Sequence, residues 1–285
     1  MGVLAVLEEF LKRSDQFLAN LAEEKNLNSY FVNSNLAILL LSAAYGATMG
    51  LYSGGLQIIY SAVKVPILIL ISLYLTVPSY YVLYSLLGGK RSLRQTVTLL
   101  LSGFTIMAIV LVAFVPVNLF FIITTPRSSD AHSFTALLNI AIFTLGGFFA
   151  LIYLVRGAKT LYKEPGEEWR PAFLVGSVIL AFVGTQLAWV LRPFFNYYEF
   201  FIRPLEGNFY TAVLSLVFRF AGFSGAIIVI GGLGFLGLLF LLALLPPKKN
   251  QQSQPPETQV GSMKASKIGR REAQKKETQA TVDPS

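Results

Sequence analysis

A serine in the run Gly222-Phe223-Ser224-Gly225 and a lone histidine, His132, come closest to a catalytic pair. A serine nucleophile needs a base within hydrogen-bond reach. His132 lies far upstream, in a loop between apolar stretches, and no histidine follows the serine. Lys64 could serve only if folding happened to bring it there, so a serine hydrolase is rejected. Metal chemistry fares no better. Cysteine is absent, and His132 has no second histidine with which to share a ligand set. Among the carboxylates only Asp130 falls between Leu36 and Lys163, which argues against a paired-aspartate protease or a carboxylate proton relay. No catalytic residue, metal ligand or cofactor is expected, and the chain reads as non-enzymatic.

The remaining polar residues suit binding or packing. Thr48, Tyr52, Lys64, Asn118, Asn139, Thr185, Gln186, Trp189 and Arg192 lie in or beside apolar stretches. Thr185, Trp189 and Arg192 share a helix face at spacings of four and three. Polar groups in lipid are costly and often mark function. Lys64, Asn118, Asn139, Gln186, Trp189, Arg192 and Arg203 therefore form a candidate cluster for an anionic headgroup or ligand, with Glu199 and Glu206 as competing ion-pair partners. The plainer reading has the amides bonding neighbouring helices while Lys64 and Arg192 snorkel to the interface. Small residues form a second pattern. Ser42, Gly46, Gly50 and Gly54 recur every four residues, the ridge that lets another helix approach closely. Gly231, Gly232, Gly234 and Gly237, and Gly184 with Ala188, repeat the theme and describe a tightly packed bundle.

The elements that must position these residues are membrane spans. Hydrophobic residues make up 54% of the 285 and charged ones only 13%, too few charges for an ordinary soluble domain. Six stretches free of Asp, Glu, Lys and Arg are long enough to cross a bilayer: 36–54, 65–87, 97–124, 134–155, 173–191 and 226–245. Pro78 predicts a kink in the second and Pro116 a bend in the third. Of the 23 Lys and Arg, all but Lys64, Arg127, Arg192, Arg203 and Arg219 fall on one side, together with both termini. The positive-inside rule makes that side cytoplasmic and gathers the polar cluster toward the outer half. The expected fold is all-α: a polytopic six-helix bundle, N-in and C-in.

Three segments flank the spans. Residues 1–35 form a cytoplasmic arm with an amphipathic helix that sets Leu4, Leu7, Leu11, Phe17, Leu18 and Leu21 toward one face. It can lie on the membrane through that face or pack under the bundle. Residues 193–225, rich in Phe and Tyr but broken by Pro204, Gly207 and Asn208, are expected along the outer surface, with a short helix over 209–220. Residues 246–285 read as a disordered basic tail, solvated or touching anionic lipid. The partners expected are the lipid bilayer and other membrane proteins or a second copy of the chain; nucleic acid is not expected.

Two stretches resemble known families. The run from Lys64-Val65-Pro66 to Ser92-Leu93-Arg94-Gln95 resembles the Yip-type membrane domain, in which a proline-bearing helix leads through a short basic loop into the next span. Yip proteins are trafficking factors that contact Rab GTPases, but this chain lacks their Asp-Leu-x-Gly-Pro and Gly-Tyr-Gly signatures and has a sixth span. No functional residue is carried over from them. The run Gly184-Thr185-Gln186-Leu187-Ala188-Trp189-Val190-Leu191-Arg192-Pro193-Phe194, with Glu206-Gly207-Asn208-Phe209-Tyr210, resembles an uncharacterised family of bacterial polytopic membrane proteins. That resemblance implies a bacterial inner membrane. A membrane organiser or complex subunit is the function expected, with a transporter or lipid-handling protein as the alternative.

Overall fold

The computed structural model describes residues 2–126, 128–162, 169–193 and 207–245, apart from the side chains of 129–132, 220, 221 and 223. Among them the secondary structure is entirely helical. Two short helices, α1 (Val3–Lys12) and α2 (Ser14–Ala22), precede α3 (Leu27–Gly50), α4 (Leu56–Leu86), α5 (Leu93–Ala113), α6 (Val115–Thr124), α7 (Ser129–Leu161), α8 (Trp169–Leu191) and α9 (Phe209–Leu244). Six segments are long and apolar enough to cross a membrane: α3, α4, α5 with α6, α7 from Ser133, α8, and α9 from Ser224. The chain is an all-α polytopic membrane protein, as expected. The basic tail and residues 194–206 of the aromatic segment, Arg203 among them, lie outside the described residues.

Helix ends extend past the apolar runs that announced them. α3 begins at Leu27 rather than at 36, because its polar first turns satisfy themselves on the helix. Asn33 donates to the Ser29 carbonyl and Asn35 to the Phe31 carbonyl, each at 2.8 Å, while Tyr74 of α4 donates to the Asn35 side chain at 2.7 Å. α4 begins at Leu56, so Lys64 lies inside the helix rather than before it. The helix also runs unbroken through Pro66 and Pro78. The third span does break where Pro116, without an N–H, cannot continue the ladder. Phe114 closes α5, and α6 restarts with the proline in its first turn. α5 starts on a capping box: Ser92 accepts from the Gln95 amide, and the Gln95 side chain accepts from the Ser92 amide.

Packing is tightest where glycine replaces a side chain. A Cβ on Gly46 would strike the Ser61 carbonyl, and one on Gly50 the Ile58 Cα, so α3 and α4 meet backbone to backbone. Gly54 falls beyond α3, in the turn to α4, with φ +74° and open space around it. α5 and α7 interlock reciprocally, with Leu154 over Gly103 and Leu99 over Gly157. The last-span glycines differ. A Cβ on Gly231, Gly232, Gly234 or Gly237 would meet nothing within 4 Å. α9 is two helices joined at a kink, where Gly222 leaves helical geometry (φ 63°) and separates a short helix, Phe209–Arg219, from the span.

The arm is two helices with a break at Arg13. Phe17, Leu18 and Leu21 are buried, whereas Leu4 and Leu11 are exposed, so the single apolar face expected of residues 1–35 is divided. Latches fix α2 beneath the bundle. Gln95 donates to the Leu21 and Ala22 carbonyls at 3.0 and 3.2 Å, and Arg156 pairs with Asp15 at 2.9 Å.

Candidate functional site

The described hydrogen bonds divide the polar residues singled out in the sequence into two groups. The first is a seam through α3, α6 and α7. The Tyr45 hydroxyl donates to Asn139 Oδ1 at 2.7 Å, and Asn139 Nδ2 donates to the Thr135 carbonyl at 2.8 Å. Asn118 Nδ2 donates to Thr48 Oγ1 at 3.2 Å, and that hydroxyl donates to the Tyr45 carbonyl at 2.7 Å. Helix registry explains the meeting. Tyr45 and Thr48 are one turn apart on α3, and the restart at Phe114 sets Asn118 in the first turn of α6, where its amide bonds back to the Phe114 carbonyl. Asn118 is wholly buried, and its Oδ1 accepts no hydrogen bond from any described residue.

Lys64 belongs deeper. It follows Ser61 by one turn on the α4 face that closes against α3, and it is only 7% exposed. Pairing Gly46 with Ser61 and Gly50 with Ile58 puts Lys64 roughly 7 Å inward of Thr48 at 1.5 Å per residue. Lys64 is thus a buried residue of α4 rather than a residue preceding the second span. Ser42, on the same ridge as Gly46, is buried and donates to the Ile38 carbonyl.

The second group joins α8 to α9. The Arg192 guanidinium lies 4.0 Å above the Trp189 ring, and its Nε donates to the Trp189 carbonyl at 3.1 Å. Arg192 adopts φ +45° as α8 ends, which folds the side chain back over the indole. Stacking and carbonyl bonding together hold the charge against the helix C-terminus, where a cation is favoured. One turn earlier, the Thr185 and Tyr210 hydroxyls lie 3.0 Å apart. Gln186 is half-buried.

Two further constellations escaped the sequence. At the arm, Glu9 is buried and accepts from the Tyr30 hydroxyl at 2.6 Å and from Asn20 at 3.2 Å, and Asn20 also donates to Tyr30 at 3.0 Å. Phe10 and Phe17 pack around Tyr30, with ring centroids 6.2 and 5.0 Å away. A glutamate in an amphipathic arm reads as solvated; its place on the Val6–Phe10 side of α1 was the available clue. Between α4, α5, α7 and α8, Tyr80, Tyr84, Thr96, Tyr162, Trp169 and Phe173 line a cavity of ≈ 20 Å³, room for about one water.

No family model, curated protein or solved structure matches this chain.

Proposed function

We propose that this protein is a non-enzymatic membrane organiser or a subunit of a membrane complex. The observation that carries the reading is the polar seam. A ligand-handling site would keep its polar groups directed at a cavity, whereas Tyr45, Thr48, Asn118 and Asn139 spend their bonding on one another across three helices. Arg192 is likewise engaged by Trp189. Such bonds stitch a bundle together. The last span then has glycines facing open space where those of α3 face α4, which leaves room for a helix of another chain. The kinship proposed with Yip-type domains through residues 64–95 accords with an organising role; the charge bias favours cytoplasmic termini, and a bacterial inner membrane rests on the resemblance through residues 184–210 alone.

Affinity purification from mild detergent tests the reading. A stoichiometric partner is expected, and a clean monomer overturns it. Asn118 supports a second reading, in which its unpaired Oδ1 accepts from a lipid headgroup or transported ligand. Native mass spectrometry of Asn118→Leu and Arg192→Ala decides that reading: fewer lipid adducts favour it, and an unchanged distribution sinks it.

A further inference from the structure

Helix α1 has an outward face that the organiser reading does not use. Its residues divide into three sectors. Val6, Glu9 and Phe10 point inward and are buried. Glu8 and Lys12, paired at 3.6 Å one turn apart, make an exposed polar edge. Leu4, Leu7 and Leu11 make an apolar edge, on which Leu4 is 81% and Leu11 59% exposed. Their spacing of i, i+3 and i+7 puts all three in one stripe.

The rotation of α1 about its own axis is fixed from inside. Glu9 is held by Tyr30 and Asn20, and Phe10 packs edge-on against Phe17 at 4.6 Å. An amphipathic helix docking on a core would turn its leucines inward and its glutamate to water. Here the glutamate is bonded inward, which turns the leucine stripe out.

The place where α1 is pinned says what covers the stripe. Tyr30 lies in the first turn of α3, and the next two residues, Phe31 and Val32, are exposed and apolar. Leu36, Leu39 and Leu40 continue that exposed surface along the span, where lipid is its neighbour. α1 is therefore held where the lipid-facing surface of α3 begins. Lys12 and Arg13, both exposed, follow at its end and suit anionic headgroups. We infer that α1 is an interfacial membrane helix, with its Leu4–Leu7–Leu11 edge seated among the acyl chains of the leaflet on the N-terminal side. Lipid is the occupant because α1 is pinned at the level of α3 where exposed apolar residues of the span begin, while the Glu8–Lys12 edge stays in water.

The absence of native cysteine makes the test direct. Nitroxide labels are placed on Leu4→Cys, Leu11→Cys, Glu8→Cys and Lys12→Cys in the full chain, reconstituted in vesicles of phosphatidylcholine and phosphatidylglycerol. All four positions are exposed, so the Glu9–Tyr30 contact survives labelling. Collisions with oxygen relative to a water-soluble nickel chelate should be several-fold more frequent at 4 and 11 than at 8 and 12. Equal nickel access at all four positions places the stripe in water and overturns the inference. Protection of 4 and 11 from both reagents shows that protein covers it, which overturns it equally.

Discussion

A methyl group added at Gly46 would meet the Ser61 carbonyl, so the contact of α3 with α4 tolerates no side chain there. Gly46→Ala should cost about 1–3 kcal/mol by overpacking, read as a lower midpoint of unfolding in mixed detergent. Gly232→Ala, which meets nothing, should stay within about 0.5 kcal/mol of the parent. The polar seam can be read the same way. Tyr45→Phe leaves Asn139 Oδ1 without its donor and should cost about 0.6 kcal/mol, the average for interhelical bonds in membranes, and no more than about 1.7. In a double-mutant cycle, Asn139→Leu should be less damaging in the Tyr45→Phe background than alone, and strict additivity would refute the bond.

Among the elements, the arm is held by a few identifiable contacts. Glu9→Ala removes the acceptor shared by Tyr30 and Asn20 and leaves the buried Tyr30 hydroxyl to find another. At about 1–3 kcal/mol for an unmet buried group, amide exchange across 3–22 should rise by roughly fivefold or more. Exchange in α5 beyond Leu99 should be unchanged; if the arm exchanges no faster, Glu9 does not anchor it. The Ser92–Gln95 pair shows how one element serves another. It caps α5 through Gln95 Oε1 and satisfies the last carbonyls of α2 through Gln95 Nε2. In the sequence Ser92–Gln95 stands out only as part of a resemblance, and nothing local says that α2 ends beside it.

For the whole molecule, topology is the property to measure. Single cysteines at Lys90, between α4 and α5, and at Ser128, between α6 and α7, lie at opposite ends of the third span. An impermeant maleimide added to intact cells should label Ser128→Cys and spare Lys90→Cys until the cells are opened. The reverse pattern would invert the bundle and with it the leaflet that receives α1. The two glycine sets gain meaning only at this scale. Gly46 and Gly50 are covered by a neighbouring helix, whereas Gly231, Gly232, Gly234 and Gly237 face open space.

Composition and the lengths of apolar runs determined the all-α class and the six spans, because unpaired backbone amides cannot face lipid and a bilayer sets the helix length. Proline was a local signal of uneven value: the third span breaks near Pro116, whereas α4 continues through Pro66 and Pro78. Tertiary structure alone decided which polar residues meet. Residues 45 and 139 are joined by helix registry across the bundle, and no periodicity along one chain encodes that pairing. It also moved Lys64 from a loop into the interior, because α4 gains two turns by packing against the glycines of α3. The same kind of tertiary bond, from Tyr30 to Glu9, turned the leucines of α1 outward, a rotation that amphipathicity by itself would have reversed.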